Sequence, residues 1–393
     1  MLGLRTSEAG LNWRAAALLG LISSTFSTLM SQLISARIGR DAAVDWMVVA
    51  AIPLRDPILQ SDPTWTGIIG GILFHQWADF SWAMVFFGLL GRWTAHLGPQ
   101  VILLIAIPWA LLTSAAEWLF LVPVLPFWQP IFTLEQPYWI GLFVHLTSAS
   151  IYPLFPWLRD WVAGHRPSPH RRFAAAWSGL AAFGVVIFGI VAFFGWQGRE
   201  LPHMGGTVAY DQGYMRRMAA HHAQGIELAQ LAAECAQDPH LRALARLMTA
   251  TQKGEIAVFD QWWRSWFGDV LPPAWPEDHA TMPGMLSMEQ INGLKRADGV
   301  GFDPLFVRLM SIHHEGAIAM AQEALQNAGD LRLKLMSHAI RHEQRGEIAL
   351  MRGTEGLSAV KAAVSALVLP AGPSRSERGA HEPTRTLQLH SAP

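Results

Sequence analysis

The chain has 393 residues, 51% hydrophobic and only 15% charged, with a formal net charge of −1. That balance leaves no electrostatic footprint for nucleic acid. The single cysteine, Cys235, excludes an intramolecular disulfide and any Cys-rich zinc or iron–sulfur site, and is expected to be a buried structural thiol.

The composition changes along the chain. Fourteen of the 18 Trp precede residue 200, whereas 11 of the 15 Met and 11 of the 16 His follow it, and the first Lys is Lys253. Two solvents, lipid and then water, account for the change. Five apolar stretches, roughly 14–36, 66–92, 101–124, 137–158 and 173–196, are long enough to cross a bilayer as helices. The stretch near residue 50 is too short to span and is expected to lie in the interface. No cleavable signal peptide is apparent, because the first span is long and lacks a small-residue cleavage pattern.

Loop 159–172 carries Arg159, Arg166, Arg171 and Arg172, while 125–136 carries no Lys or Arg. The positive-inside rule places the former in the cytoplasm, the N-terminus with Arg5 and Arg14 beside it, and everything after about residue 197 outside. One loop resists this order: the connection after the first span is predicted outside yet holds Arg37, Arg40 and Arg55. Within the spans, His75, Asp79, Glu117 and His145 are read as interhelical hydrogen-bonding groups, with an ion or proton path as the competing role.

Residues 199–353 contain an internal repeat. "YDQGYMRRMAAHHAQGIELAQLA" from Tyr210 aligns with "FDPLFVRLMSIHHEGAIAMAQEA" from Phe302 at an offset of 92, without a gap, and "TQKGEIA" from Thr251 aligns with "EQRGEIA" from Glu343. Duplication of one helical hairpin follows. The helices are expected at 208–235 and 239–267, then 303–327 and 330–352, with Asp238 and Asp330 as N-caps and Pro239 at the first helical position. Two hairpins make a four-helix bundle. The connection 268–302 is long for a bundle, and 354–393 reads as disordered tail.

Soft and borderline metal ligands recur at equivalent positions. Met218 lies beside His221 and His222 on one helix surface, with Met215 a turn earlier; Met310, His313 and His314 repeat the pattern, and Met320 follows. On the last helix His338 and His342 are one turn apart, with Glu343, Glu347 and Met351 near. His279, Met282, Met285 and Met288 recur every three residues across Pro283 and Gly284, so no regular helix explains them. They are expected to wrap one soft ion or to cover the His pairs as a lid. Thioether with imidazole favours copper, as Cu(I) or Cu(II), and silver. Carboxylates at Glu255 and Glu347 keep iron or manganese open, although no Glu-x-x-His pair lies in register. Met248 and Met336 read as core, and Gln252, Gln344, Glu255 and Glu347 alternatively as partners that fix the imidazole tautomers.

The motifs "M..HH", "Q..EIA" and "MPGM", recurring in order over about 205–352, resemble the domain of unknown function 305 family. The resemblance implies a ferritin-like helical fold and, as in some members, periplasmic copper binding linked to metal resistance. Leu228 and Phe259 stand where the second unit has Met320 and Met351, which implies unequal metal binding by the two units. The expectation is an all-α protein of the bacterial inner membrane: a five-span membrane domain, 1–198, followed by an extracytoplasmic ferritin-like four-helix bundle. It binds copper or silver without catalysis, iron being the less favoured metal. A metal oxidase and a membrane sensor, assembly or transport factor are the competing functions. Lipid and the metal ion are its expected partners, together with a second copy of the chain or a copper-handling protein.

Overall fold

The computed structural model describes residues 8–368, and every regular element among them is helical. The N-terminal region contains α1 (Glu8–Ile34), α2 (Ala42–Leu54), α3 (Trp65–Met84), α4 (Pro99–Ala116), the short α5 (Ile131–Glu135), α6 (Tyr138–Ala149), α7 (Phe155–Val162) and α8 (Arg171–Trp196). Three helical stretches are long and apolar enough to cross a membrane: Glu8–Ile38, Pro99–Val124 and Arg171–Trp196. The other two expected spans differ from expectation. In the second, His75, Gln76 and Asp79 lower the hydropathy of α3, and a π-turn, Val85–Leu89, ends it. In the fourth, α6 is only 12 residues long, and the chain breaks at Ser150 into a 3₁₀ turn with Pro153 before α7.

Small residues allow these helices to approach closely. Gly20 lies under Phe80, and Gly71 under the Trp46 carbonyl, so any Cβ there would collide. The polar groups pair: Ser27 bonds both His75 and Asp79, Glu117 meets His145 at 3.2 Å, and Thr113 bonds His145 at 3.0 Å. They join α1 to α3 and α4 to α6, as the hydrogen-bonding reading expects.

The second region follows the repeat closely. Its hairpins are α9 (Val208–Cys235) with α10 (Pro239–Phe267), and α13 (Phe302–Asn327) with α14 (Leu331–Met351). Asp238 and Asp330 cap α10 and α14 by accepting from His240 N at 2.8 Å and Arg332 N at 2.9 Å. The hairpins are clasped reciprocally. Asp211 at the start of α9 accepts from Gly329 and Asp330 N in the other unit's turn, and its counterpart Asp303 accepts from Gln237 and Asp238 N. The offset of 92 is therefore also a symmetry of contacts. The long connection contains α11 (Pro276–Thr281) and α12 (Met288–Arg296).

Two expectations fail here. Residues 356–368 form α15 (Gly356–Val368) rather than disordered tail, because Ala359 and Ala363 give it a small apolar face that is buried. The remaining tail, with His381 and His390, lies outside the described residues. Cys235 is exposed, since it ends α9 at the hairpin turn.

The two regions are joined by more than the linker. Segments 35–62, with α2, and 125–137, with α5, of the first region pack onto α10 and α14. Arg37 pairs with Glu200 at 2.8 Å, His240 with Asp56 at 2.9 Å and Lys253 with Asp62 at 2.9 Å, and Trp262 donates to the Ala36 carbonyl at 3.1 Å. Val44, Met47 and Leu134 share one apolar core with Leu228, Leu244 and Phe306.

Candidate metal centre

His221 and His222 on α9, and His313 and His314 on α13, are all fully buried. The helices meet closely here, because a Cβ on Gly225 would run into Gln252 and the His313 ring. The His221 and His313 rings lie 3.9 Å apart, centroid to centroid. His221 Nε2 is 3.1 Å from the Pro283 carbonyl, and His313 Nε2 is 3.0 Å from the His221 carbonyl. A carbonyl only accepts, so Nε2 carries the proton in both rings and Nδ1 presents a bare lone pair. Neither Nδ1 has a hydrogen-bond partner.

The second histidine of each pair turns toward a carboxylate on the next helix. His222 Nε2 is 2.8 Å from Glu255 Oε2, and the equivalent His314 Nε2 is 2.6 Å from Glu347 Oε2. Neither contact has hydrogen-bond angles: both nitrogens remain unpaired, as do both Glu255 oxygens. Nitrogen and oxygen atoms bound to one ion at 2.0–2.2 Å stand about 3 Å apart, so such pairs suit neighbours in a coordination sphere.

Glu347 belongs to a larger group. Among the described residues, Glu135, Glu343 and Glu347 offer buried carboxylate oxygens within 4.8 Å of one another. Glu135 comes from α5, in the first region. Gly346 admits it, since the Leu134 carbonyl occupies the space a Cβ would need. Arg40, also from the first region, donates to Glu343 at 2.6 Å and to Asp45 at 2.7 Å. Gln344 donates to Glu347 Oε2 at 3.2 Å.

Burial sets the protonation of the centre. It pushes His221 and His314 down to about 3 and His222 to about 4, and holds His313 well below the usual imidazole range. It lifts Glu255 to about 8, against the opposing effect of Arg40. Glu135 and Glu347 are raised by burial and then by neighbouring carboxylates, and Glu343 by burial and then Glu255, against the opposing charge of Arg40. Without metal the centre therefore favours neutral imidazoles and resists full ionisation of its carboxyls, while the Arg40 guanidinium favours the charged form of Glu343.

A pH profile follows with a definite sign. The depressed histidines cost stability as pH falls below their unfolded value near 6.5, where the unfolded chain binds more protons. The raised carboxyls cost stability as pH rises from about 4.5 to 8, where the folded chain holds more protons. Thermal unfolding of metal-stripped protein in detergent should give a maximum between about pH 4.5 and 6.5. A monotonic rise to pH 8 would contradict the carboxylate assignments.

The expected ligands are distributed as follows. His221, His222, His313, His314 and Glu347 converge. Met215, Met218, Met282 and Met320 are gathered in one buried cluster with Met336, Trp262 and Phe259, and Met285 packs on its edge. Met310 lies in the other core with Met248, and Met351 packs half-buried against it. His338 is half-buried and meets Trp139 Nε1 at 3.3 Å, whereas His342 is buried. The four residues spaced by three do not surround one point. α11 ends before Met282 and α12 begins at Met288, leaving His279 and Met288 exposed and Met282 buried. The covering role is met instead by the backbone of the turn: Pro283 receives the His221 contact, and Gly284, at φ 78°, packs on Gly316.

Glu135 and Arg40 escaped the sequence reading, since one ends a five-residue helix and the other lies in a turn, both too short to carry a periodic pattern. The one available signal was the run of arginines in a loop predicted outside. In the structure Arg37 and Arg40 pair with carboxylates, and Arg55 donates to the Pro126 carbonyl.

These features define a duplicated helical-hairpin domain with a buried His/Glu centre, seated on an apolar helical region. Residues 211–354 match the family described as a domain of unknown function, DUF305. Among solved structures, the chain is similar to a DUF305 fragment from Deinococcus radiodurans, at 29% identity over 39% of this chain and 97% of that one, with a TM-score of 0.35. It is also similar to CopM in the Cu(I)-bound form, at 28% identity over 36% and 93%, with a TM-score of 0.31. A putative secreted DUF305 protein from Streptomyces coelicolor is 25% identical over 37% and 95%, with a TM-score of 0.33. No match was found among curated proteins.

Proposed function

We propose that the protein is a membrane-anchored, extracytoplasmic metal-binding protein that takes copper or silver between its duplicated hairpins. The observation that carries the reading is the pair of buried imidazoles, His221 and His313, whose Nε2 protons are committed to carbonyls while both Nδ1 lone pairs stay free. Imidazole nitrogen supplemented by thioether suits Cu(I) and Ag(I). Met218 and Met310, each one turn before its His pair and fully buried, are the nearest thioethers in sequence. The Pro283–Gly284 turn forms the wall that a metal would pass.

In the same reading the anchor in the bacterial inner membrane is built from α1, α3 with its π-turn, α4, α6 continued by α7, and α8. The bundle then lies outside the cytoplasm, beside segments 35–62 and 125–137. The ion pairs of Arg37 and Arg40 remove the objection that a basic loop faces outward.

The test is anaerobic titration of the full-length protein in detergent with Cu(I) and Ag(I), counting bound ions by mass spectrometry. The His221→Ala/His313→Ala variant is expected to lose coinage-metal binding by at least about tenfold in affinity, in line with losing direct ligands. Unchanged stoichiometry and affinity would sink the assignment.

A further inference from the structure

We propose that His222, His314, Glu255, Glu343, Glu347 and Glu135 form a second site, which binds a pair of hard divalent cations such as Fe(II) or Mn(II) and is completed by the anchor. Oxygen-rich sets with imidazole favour these ions over Cu(I). The carboxylate triad is not the only evidence. Buried His314, with both ring nitrogens unpaired, aims Nε2 at Glu347, and His222 approaches Glu255 in the same way from the other repeat. Each histidine–carboxylate pair offers one half of a two-ion site, related by the repeat.

The charge suits two ions. Four ionised carboxylates carry −4, with Arg40, which bridges Glu343 and Asp45, balanced by Asp45. Two divalent ions would cancel that charge with every carboxyl deprotonated, whereas one ion would leave two carboxyls to keep their protons. Bundle cores commonly hold metal pairs with four carboxylates and two imidazoles. The order here is different: the imidazoles come from α9 and α13, three carboxylates from α10 and α14, and Glu135 from outside the bundle. The consequence is specific. A ligand on α5 makes hard-metal binding depend on the seating of bundle on anchor.

The test uses full-length protein in detergent, stripped with chelator and loaded anaerobically with Fe(II) or Mn(II). Two ions per chain are expected. For Mn(II), an exchange-coupled spectrum by electron paramagnetic resonance should replace that of isolated ions. Glu135→Gln should weaken binding of at least one of the two ions by about tenfold or more, without lowering thermal stability of the metal-free protein, since it removes a repelled buried carboxyl. Cu(I) binding by that variant should be unchanged, and Fe(II) binding by the His221→Ala/His313→Ala variant should persist. The two sites can thus fail separately. A chain that binds neither Fe(II) nor Mn(II), that binds a single ion, or whose Glu135→Gln variant binds both ions normally would overturn the proposal.

Discussion

Arg40→Met is expected to destabilise the metal-free protein by about 3–5 kcal/mol, the range for removing one partner of a buried ion pair. Arg40 is 3% exposed and its partner Glu343 is fully buried. Its guanidinium spans the two regions, with Nη1 on Glu343 at 2.6 Å and Nε and Nη2 on Asp45 at 3.1 and 2.7 Å. Methionine fills similar volume but leaves two acids without their cation, and the Gln136 amide, at 2.6 Å, remains for Asp45 alone. Adding Glu343→Gln should restore part of the loss, because the orphaned carboxyl becomes neutral. A double-mutant cycle on thermal unfolding isolates that coupling. If the single variant is within about 1 kcal/mol of wild type, the guanidinium does not hold the junction in solution.

Gly346→Val should have an effect of comparable size through a different cause. A Cβ at Gly346 would occupy the position of the Leu134 carbonyl and press on Leu134 Cα, so the obstruction is backbone rather than a movable side chain. Overpacking in a core costs about 1–3 kcal/mol where side chains can yield, and here α5 itself must withdraw. Withdrawal carries Glu135 out of the carboxylate group, so Fe(II) or Mn(II) binding should weaken together with stability. Gly213→Ala is the control. That position, inside α9 with nothing within 4 Å of the added Cβ, should gain about 0.5–1 kcal/mol. Equal responses at the two glycines would show that α5 does not seat against α14.

Much of the bundle was legible because duplication makes position visible without any structure. Helix ends at 208, 235, 239 and 267 agree with the pattern and caps, and the paired histidines lie where the offset of 92 places them. The apolar segments of the first region were less legible. Polar His75 and Asp79 and the break at Ser150 interrupt runs that look continuous by composition. Least legible was the centre itself. Arg40 and Glu343 meet across 303 positions, and Glu135 reaches α14 across more than 200. Contacts at that range leave no periodicity. The methionine spacing misled in the opposite direction: a regular interval in sequence crosses two helix ends, and its members face different surroundings.

Gly346 has a counterpart. Gly254 occupies the same place in the first repeat and lies against Asp41, so each hairpin carries a notch and the first region supplies a different plug for each. A bundle with near-twofold symmetry could in principle be seated in two ways, turned by half a revolution. Position 343 breaks that degeneracy. Its equivalent in the first repeat is Thr251, which offers Arg40 no charge. The divergence of one residue between the copies therefore works as an index mark, fixing which half of a nearly symmetrical body faces each loop.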